Sequence, residues 1–475
     1  MTPFKYSLIT LAVAGTLSLA GCGGGGSSSG GSDSTPTTRS VTGVITGFGS
    51  VFVGGVEYET DDANFTVDGA SGLESDLEVG MVITLEGTVN PDGTTGTAVA
   101  IEYEEEVEGL VLANNVAVDG TLNVMGQTVH IDDQTNFESD VDTVMSFEDI
   151  AVNHYIEVSG FSSGSGEIYA THIEVKRASL EAGDELEVKG IVAAHDAGSL
   201  TFQIGELTID YSTAMFEDFS EVSDGLYVEV ESNQDLVDGV LIASEIELKD
   251  AADNDHDDID ELEFEGVITA INDDTSIVVN NMTVRVNDDT EFENGSLDNL
   301  LVGTKISVEG EFDSNGAFIA EEIELKSEAD VELEGMLEDV DAENNTVTVM
   351  GQVIVVTNLT LMEDEADDDG QTPERYFSVS DLVIGDWVEI DAYFDETRDA
   401  LVATALERDD ADDSGHHSLE GKVEDNTVAN QLTVSGITVD TSALEVLSVD
   451  IGAYVEIDGT FDSGVLSAVS IELDD

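Results

Sequence analysis

Phe264-Glu265-Gly266-Val267-Ile268-Thr269-Ala270, Ser276-Ile277-Val278-Val279, Met282-Thr283-Val284-Arg285-Val286, Lys305-Ile306-Ser307-Val308-Glu309-Gly310-Glu311-Phe312 and Phe318-Ile319-Ala320-Glu321-Glu322-Ile323-Glu324-Leu325 follow one another along the chain. Each run is short and rich in β-branched or aromatic residues, and each is bounded by polar turn residues, which predicts five strands. In the fourth, Ile306 and Val308 share one face while Lys305 and Ser307 alternate with them. Asn280-Asn281 and Asp313-Ser314-Asn315-Gly316 are hairpin signals, and residues 296–301 suit one helical turn. Five antiparallel strands, with the longest connection between the third and fourth, predict a small OB-like barrel. A two-sheet sandwich is the alternative.

Outward from this stretch the same phrases return. The opening strand with its glycine recurs as Val41-Thr42-Gly43, Val107-Glu108-Gly109, Val188-Lys189-Gly190, Leu333-Glu334-Gly335 and Leu419-Glu420-Gly421. A second phrase recurs as Val79-Gly80, Val302-Gly303, Ile384-Gly385 and Ile451-Gly452, with Gly225 in the third copy and Asn153 in the second. Asn is the next best residue for positive φ, so the turn is expected to survive there. Closing strands such as Ala320–Leu325 and Ala468–Leu473 follow the second phrase at a nearly constant distance, so length variation falls in the preceding loop.

The chain therefore reads as an all-β tandem array of six five-stranded OB-like barrels: 40–104, 105–177, 185–249, 261–326, 331–408 with an acidic insert, and 418–475. The segments between them, 177–184, 250–260, 327–330 and 409–418, are short and polar. They predict beads on a string with limited contact between neighbours.

The first unit contains Gly47-Phe48-Gly49-Ser50-Val51-Phe52-Val53-Gly54-Gly55-Val56 and Asp76-Leu77-Glu78-Val79-Gly80-Met81-Val82, and the second contains Leu122-Asn123-Val124-Met125-Gly126-Gln127-Thr128-Val129. These resemble a family of repeated barrel domains of unknown function found in proteobacterial lipoproteins. The resemblance covers nearly all of residues 40–475 and implies a fold and a cell-envelope location, with no catalytic residues to carry over.

Composition excludes whole classes of function. In 475 residues there are 105 acidic and 13 basic side chains, a formal charge of −92. Phosphate backbones and anionic headgroups are bound by clustered Lys and Arg, so nucleic acid is excluded as a partner. A hydrophobic content of 41% with 4 Pro residues argues for a folded chain rather than an acidic tail.

The N-terminus carries Lys5 and then an apolar run from Leu8 to Ala20. That run is shorter than the roughly 20 residues a spanning helix needs, so residues 1–21 read as a signal peptide. Leu19-Ala20-Gly21-Cys22 looks like a bacterial lipobox, which implies lipidation of Cys22, the one cysteine of the chain. Gly23 at the next position suggests the outer membrane rather than the inner. Residues 22–39 form a Gly/Ser tether with a reach of about 20–25 Å root mean square.

Catalytic motifs are missing. Gly47-Phe48-Gly49-Ser50 lacks the lysine and helix of a phosphate loop and reads as a tight turn. No Gly-x-Ser-x-Gly elbow precedes a helix, and paired carboxylates carry no signal among 105. The adjacent His416 and His417 would point to opposite faces of a strand.

Calcium is the one cofactor suggested. Glu365, Asp367 and Asp369 before Gly370, and Asp410, Asp412 and Ser414 before Gly415, place oxygen ligands as in the front half of a calcium loop. Both lack the closing carboxylate, having Tyr376 and Gly421 there, so solvated acidic inserts are the alternative.

The expected protein is non-catalytic, lipid-anchored in the outer membrane, and presents an acidic array of barrels for binding or adhesion to a cationic polymer or envelope protein. A calcium-stiffened spacer is the alternative.

Overall fold

The computed structural model describes residues 36–475, apart from 133, 218, 250–260, 274, 314–316, 328, 365, 367–376, 396, 397, 399, 410–415, 445–448 and 475. Strands dominate it. In the second unit they are Val107–Asn114, Thr121–Val124, Gln127–His130, Tyr155–Ser162 and Glu167–Arg177. The first pairs with the second and the second with the third, all antiparallel. The third then runs parallel to the fifth, the fifth antiparallel to the fourth, and the fourth closes on the first. This ring order, 1-2-3-5-4-1, is that of an OB barrel. The same closed ring forms in the fourth, fifth and sixth units. Among the described residues no helix is long and apolar enough to cross a membrane.

The two recurring glycines have different causes. At the second, φ is positive in every unit: +88° at Gly80, +93° at Gly225, +96° at Gly303, +102° at Gly385 and +90° at Gly452. Asn153 takes 72° in the same place, so the turn survives the substitution. The first glycine instead lies where the opening strand passes under its own hairpin in units two, three, four and six, and where it meets another unit at Gly43 (Glu265) and Gly335 (His417). A Cβ on Gly109 would stand 2.5 Å from Met125 Cγ, and one on Gly266 would stand 2.4 Å from Asn280 Oδ1. The hairpin tips Met125-Gly126, Met350-Gly351 and Ser435-Gly436 have positive φ at both residues, the turn that matches strand twist.

The expected string of separate beads is not found. The opening strand of a ring pairs with the second strand only through its C-terminal half, which leaves one edge of its N-terminal half free. An unpaired edge seeks a partner, and here that partner is the opening strand of another unit. Units two and three join at Val107↔Val188 and Glu108↔Glu187, and units five and six from Val331↔Gly421 to Glu334↔Ser418. Unit one skips its neighbours and pairs in parallel with unit four, from Arg39↔Glu261 to Thr42↔Phe264. Units two and three share one apolar core, as do five and six.

Further contacts draw these pairs together, so that Pro36–Asp475 form one compact unit. The Val79-Gly80 corner of unit one sits on unit two, with Val79 O 3.0 Å from His172 Nδ1. Thr46 of unit one accepts from Met362 N of unit five at 3.0 Å. Outward faces are consequently covered: Tyr155–Ser162 is buried at every position, and Ser307 is buried while donating to Glu263 at 2.8 Å. The alternation expected for Lys305–Phe312 holds toward the barrel interior, but the far side meets another unit.

Candidate functional site

The residues proposed for lipid and calcium, Cys22, Glu365, Asp367, Asp369, Asp410, Asp412 and Ser414, lie outside the described residues. Gly47–Phe48 and Val51–Val53 are paired strands joined through Gly49-Ser50, a tight turn as expected. Two of the described histidines serve packing. His172 is fully buried, which lowers its pKa to about 4, and His417 lies buried beside Trp387, with ring centroids 5.2 Å apart.

What the sequence reading missed is where the scarce cations go. Four of them, Arg39, Lys189, Lys249 and Lys305, lie at the seams. Arg39 of unit one reaches Glu261 at 2.9 Å, Glu263 at 2.8 Å and Glu309 at 3.3 Å in unit four. Lys189 of unit three meets Glu187 at 3.0 Å, Glu229 at 3.3 Å and Glu104 at 3.4 Å, and donates to the Glu105 carbonyl at 2.6 Å. Lys249 holds Glu104, Glu229 and Glu247 at 3.0–3.1 Å. Lys305 of unit four bonds Asp132 of unit two at 2.7 Å. A signal was present: Lys176, Lys249, Lys326 and Arg408 each stand just after a closing strand's last apolar phrase.

Carboxylates form rows across the joined sheets. Glu174, Glu157, Glu108, Glu187, Glu231 and Glu245 stand opposite one another on successive strands of units two and three. In units five and six the row is Asp391, Glu332, Glu420, Glu456 and Glu472. Like charges placed directly opposite destabilise a sheet, and burial together with these neighbours favours the neutral form of several of the carboxyls. Burial, reinforced by Glu389, Asp391, Glu420 and Glu456, raises Glu332 to about 8. Burial pushes Glu187 up to about 9 against the pull of Lys189, and Glu108 and Glu231 to about 7.

Glu187, Glu229 and Glu231 bring three carboxylate oxygens within 4.8 Å of one another, the spacing of a metal site. The Lys189 ammonium bonds two of the three, so the positive charge such a cluster calls for is already supplied by the chain. Where units one, two, four and five meet, a cleft of about 320 Å³ opens, bordered by Thr171, Lys305, Lys326, Tyr393, Arg398 and Thr404 among others.

The sequence pattern of a family described as a domain of unknown function (DUF5666) matches six times, at residues 40–102, 106–174, 189–247, 265–324, 334–407 and 420–472. No curated protein matches the chain. Among solved structures, one titled "drosophila Unr CSD456" is 14% identical and aligns over 45% of this chain and 97% of its own, with a TM-score of 0.17. A superposition that poor carries no argument about fold or function.

Proposed function

This chain belongs to the DUF5666 family, and from that premise we propose that it is a non-catalytic, lipid-anchored protein of the bacterial outer membrane that presents an anionic surface to cationic partners. One observation supports this reading above the others. Arg39, Lys189, Lys249 and Lys305 are engaged with carboxylates across seams, and Lys176 and Lys326 with carboxylates of their own unit. With 13 basic side chains against 105 acidic ones, little positive charge is left for the exterior. A field of one sign attracts cationic polymers and proteins over a Debye length of about 8–10 Å.

Anchoring would come from Cys22 and the Gly/Ser tether, which ends before the strand Thr37–Val44 rather than at residue 39 and would hold the barrels close to the lipid surface. Two measurements test the proposal. Full-length protein in detergent should bind polylysine with an affinity that falls steeply between about 0.05 and 0.5 M salt. Cys22→Ser should release the protein from the membrane fraction. Salt-independent binding, or a variant that still pellets with membranes, refutes the corresponding half.

A further inference from the structure

We propose that the cleft between units one, two, four and five binds a neutral saccharide of about two sugar rings. Its volume of about 320 Å³ is at the small end of ligand-sized clefts. The argument begins with two hydroxyls. Thr171 is 6% exposed, and its Oγ1 is buried without a hydrogen-bond partner. Thr404 takes the equivalent place in unit five, on the strand Ala400–Asp409 one residue after a buried alanine, and its Oγ1 is also buried and unpartnered. The two hydroxyls stand at the same position of two repeats and both residues border this one cleft, whereas buried polar atoms are nearly always bonded. A ligand offering hydroxyls would satisfy both.

The remaining polar groups select the chemistry. An ammonium has three N–H donors. Lys305 Nζ uses Asp132 at 2.7 Å and Gln134 at 3.0 Å, and Lys326 Nζ uses Glu265 at 3.1 Å and Glu324 at 3.0 Å. Each therefore retains one donor. Arg398 bonds Asp395 through Nη1, leaving the rest of its fork.

Against these three cations stand Glu265, Glu293 and Glu324 on the wall, with Asp132 and Asp395 just behind. The balance is slightly negative, so an anionic ligand is repelled, while a cationic one meets two ammoniums and a guanidinium. Sugar hydroxyls accept from the spare N–H groups and donate to the carboxylates, and so suit both. Phe161 and Tyr393 border the same space and supply aromatic surface for the C–H side of a sugar. The proposal does not depend on the anionic exterior, and either can fail alone.

Calorimetric titration of the full chain in detergent with cellobiose, maltose and chitobiose tests it, with sodium succinate and putrescine as charged probes of smaller size. At least one disaccharide should saturate with a Kd below about 1 mM. Thr171→Val and Arg398→Ala should each weaken it fivefold or more, and Arg177→Ala, whose side chain pairs with Asp184 away from the cleft, should leave it unchanged. Failure of all three disaccharides to saturate by about 20 mM means a merely water-filled cleft and overturns the proposal. Preferential binding of succinate or putrescine overturns it as well, as does disaccharide binding that Thr171→Val and Arg398→Ala leave intact.

Discussion

Replacing Glu332 by Gln should stabilise the protein, and only at high pH. Glu332 lies in the row where Asp391 and Glu420 stand directly opposite it on either side, with Glu456 beyond. Burial and these carboxylates raise its pKa to about 8, from a usual value of 4.5. The folded state therefore holds this proton more tightly than the unfolded chain does. Its effect on stability is absent below about pH 4.5 and grows unfavourable as pH rises toward 8. At about 1.4 kcal/mol per unit of pKa, the full shift corresponds to about 5 kcal/mol. The side chain keeps some contact with solvent, so about 2–4 kcal/mol is the expected size at pH 8. Gln keeps the shape and cannot ionise, and so removes that penalty.

The assay is urea unfolding of the full chain and Glu332→Gln in detergent at pH 4.5, 6.5 and 8, followed by Trp387 fluorescence from the neighbouring strand. The gain should be near zero at pH 4.5 and largest at pH 8. A variant no more stable than the parent at pH 8, or equally stabilised at all three pH values, refutes the argument.

Three other substitutions probe other parts of the molecule. Lys189→Met removes the ammonium shared by Glu187, Glu229 and Glu104, and should cost about 3–5 kcal/mol at neutral pH and less at pH 5, as read by urea unfolding. Gly80→Ala adds a Cβ 2.6 Å from Thr171 O at φ +88°, whereas Gly303→Ala at φ +96° meets nothing; the first should cost at least about 2 kcal/mol more than the second in the same assay. Thr171→Val removes a hydroxyl that bonds to nothing in the chain, and should leave the ligand-free protein unchanged or raise its stability by about 1 kcal/mol in a thermal melt.

Much of each barrel was legible because its determinants are local. Alternation and turn residues place Ser276–Val279, Lys305–Phe312 and Phe318–Leu325 at the limits the structure shows. The positive φ of Asn153 followed from its alignment with five glycines. How the units associate was not legible, because a free strand edge carries no mark of its partner. Arg39 pairs across 222 residues with Glu261, and no periodicity joins them. Ser307, which alternates with Ile306 and Val308, is nevertheless buried, and Lys189 is buried against Glu104 and the Glu105 carbonyl. The cleft was illegible for the same reason: Thr171 and Thr404 are ordinary strand residues until units two and five are brought together.

The parallel pairing of unit one with unit four sets an order of events during synthesis. The edge at Arg39–Thr42 has no partner until Glu261–Phe264 has been made, more than 200 residues later. At about 5–20 residues per second, that is a wait of roughly 10–40 s. For that interval a nascent strand stands open to any other chain that offers an edge. Units two and three, which pair with each other, can close in the meantime, so the final sheet is assembled by the return of the first segment to a late one. A net charge of −92, seen from this side, keeps two such unfinished chains from meeting.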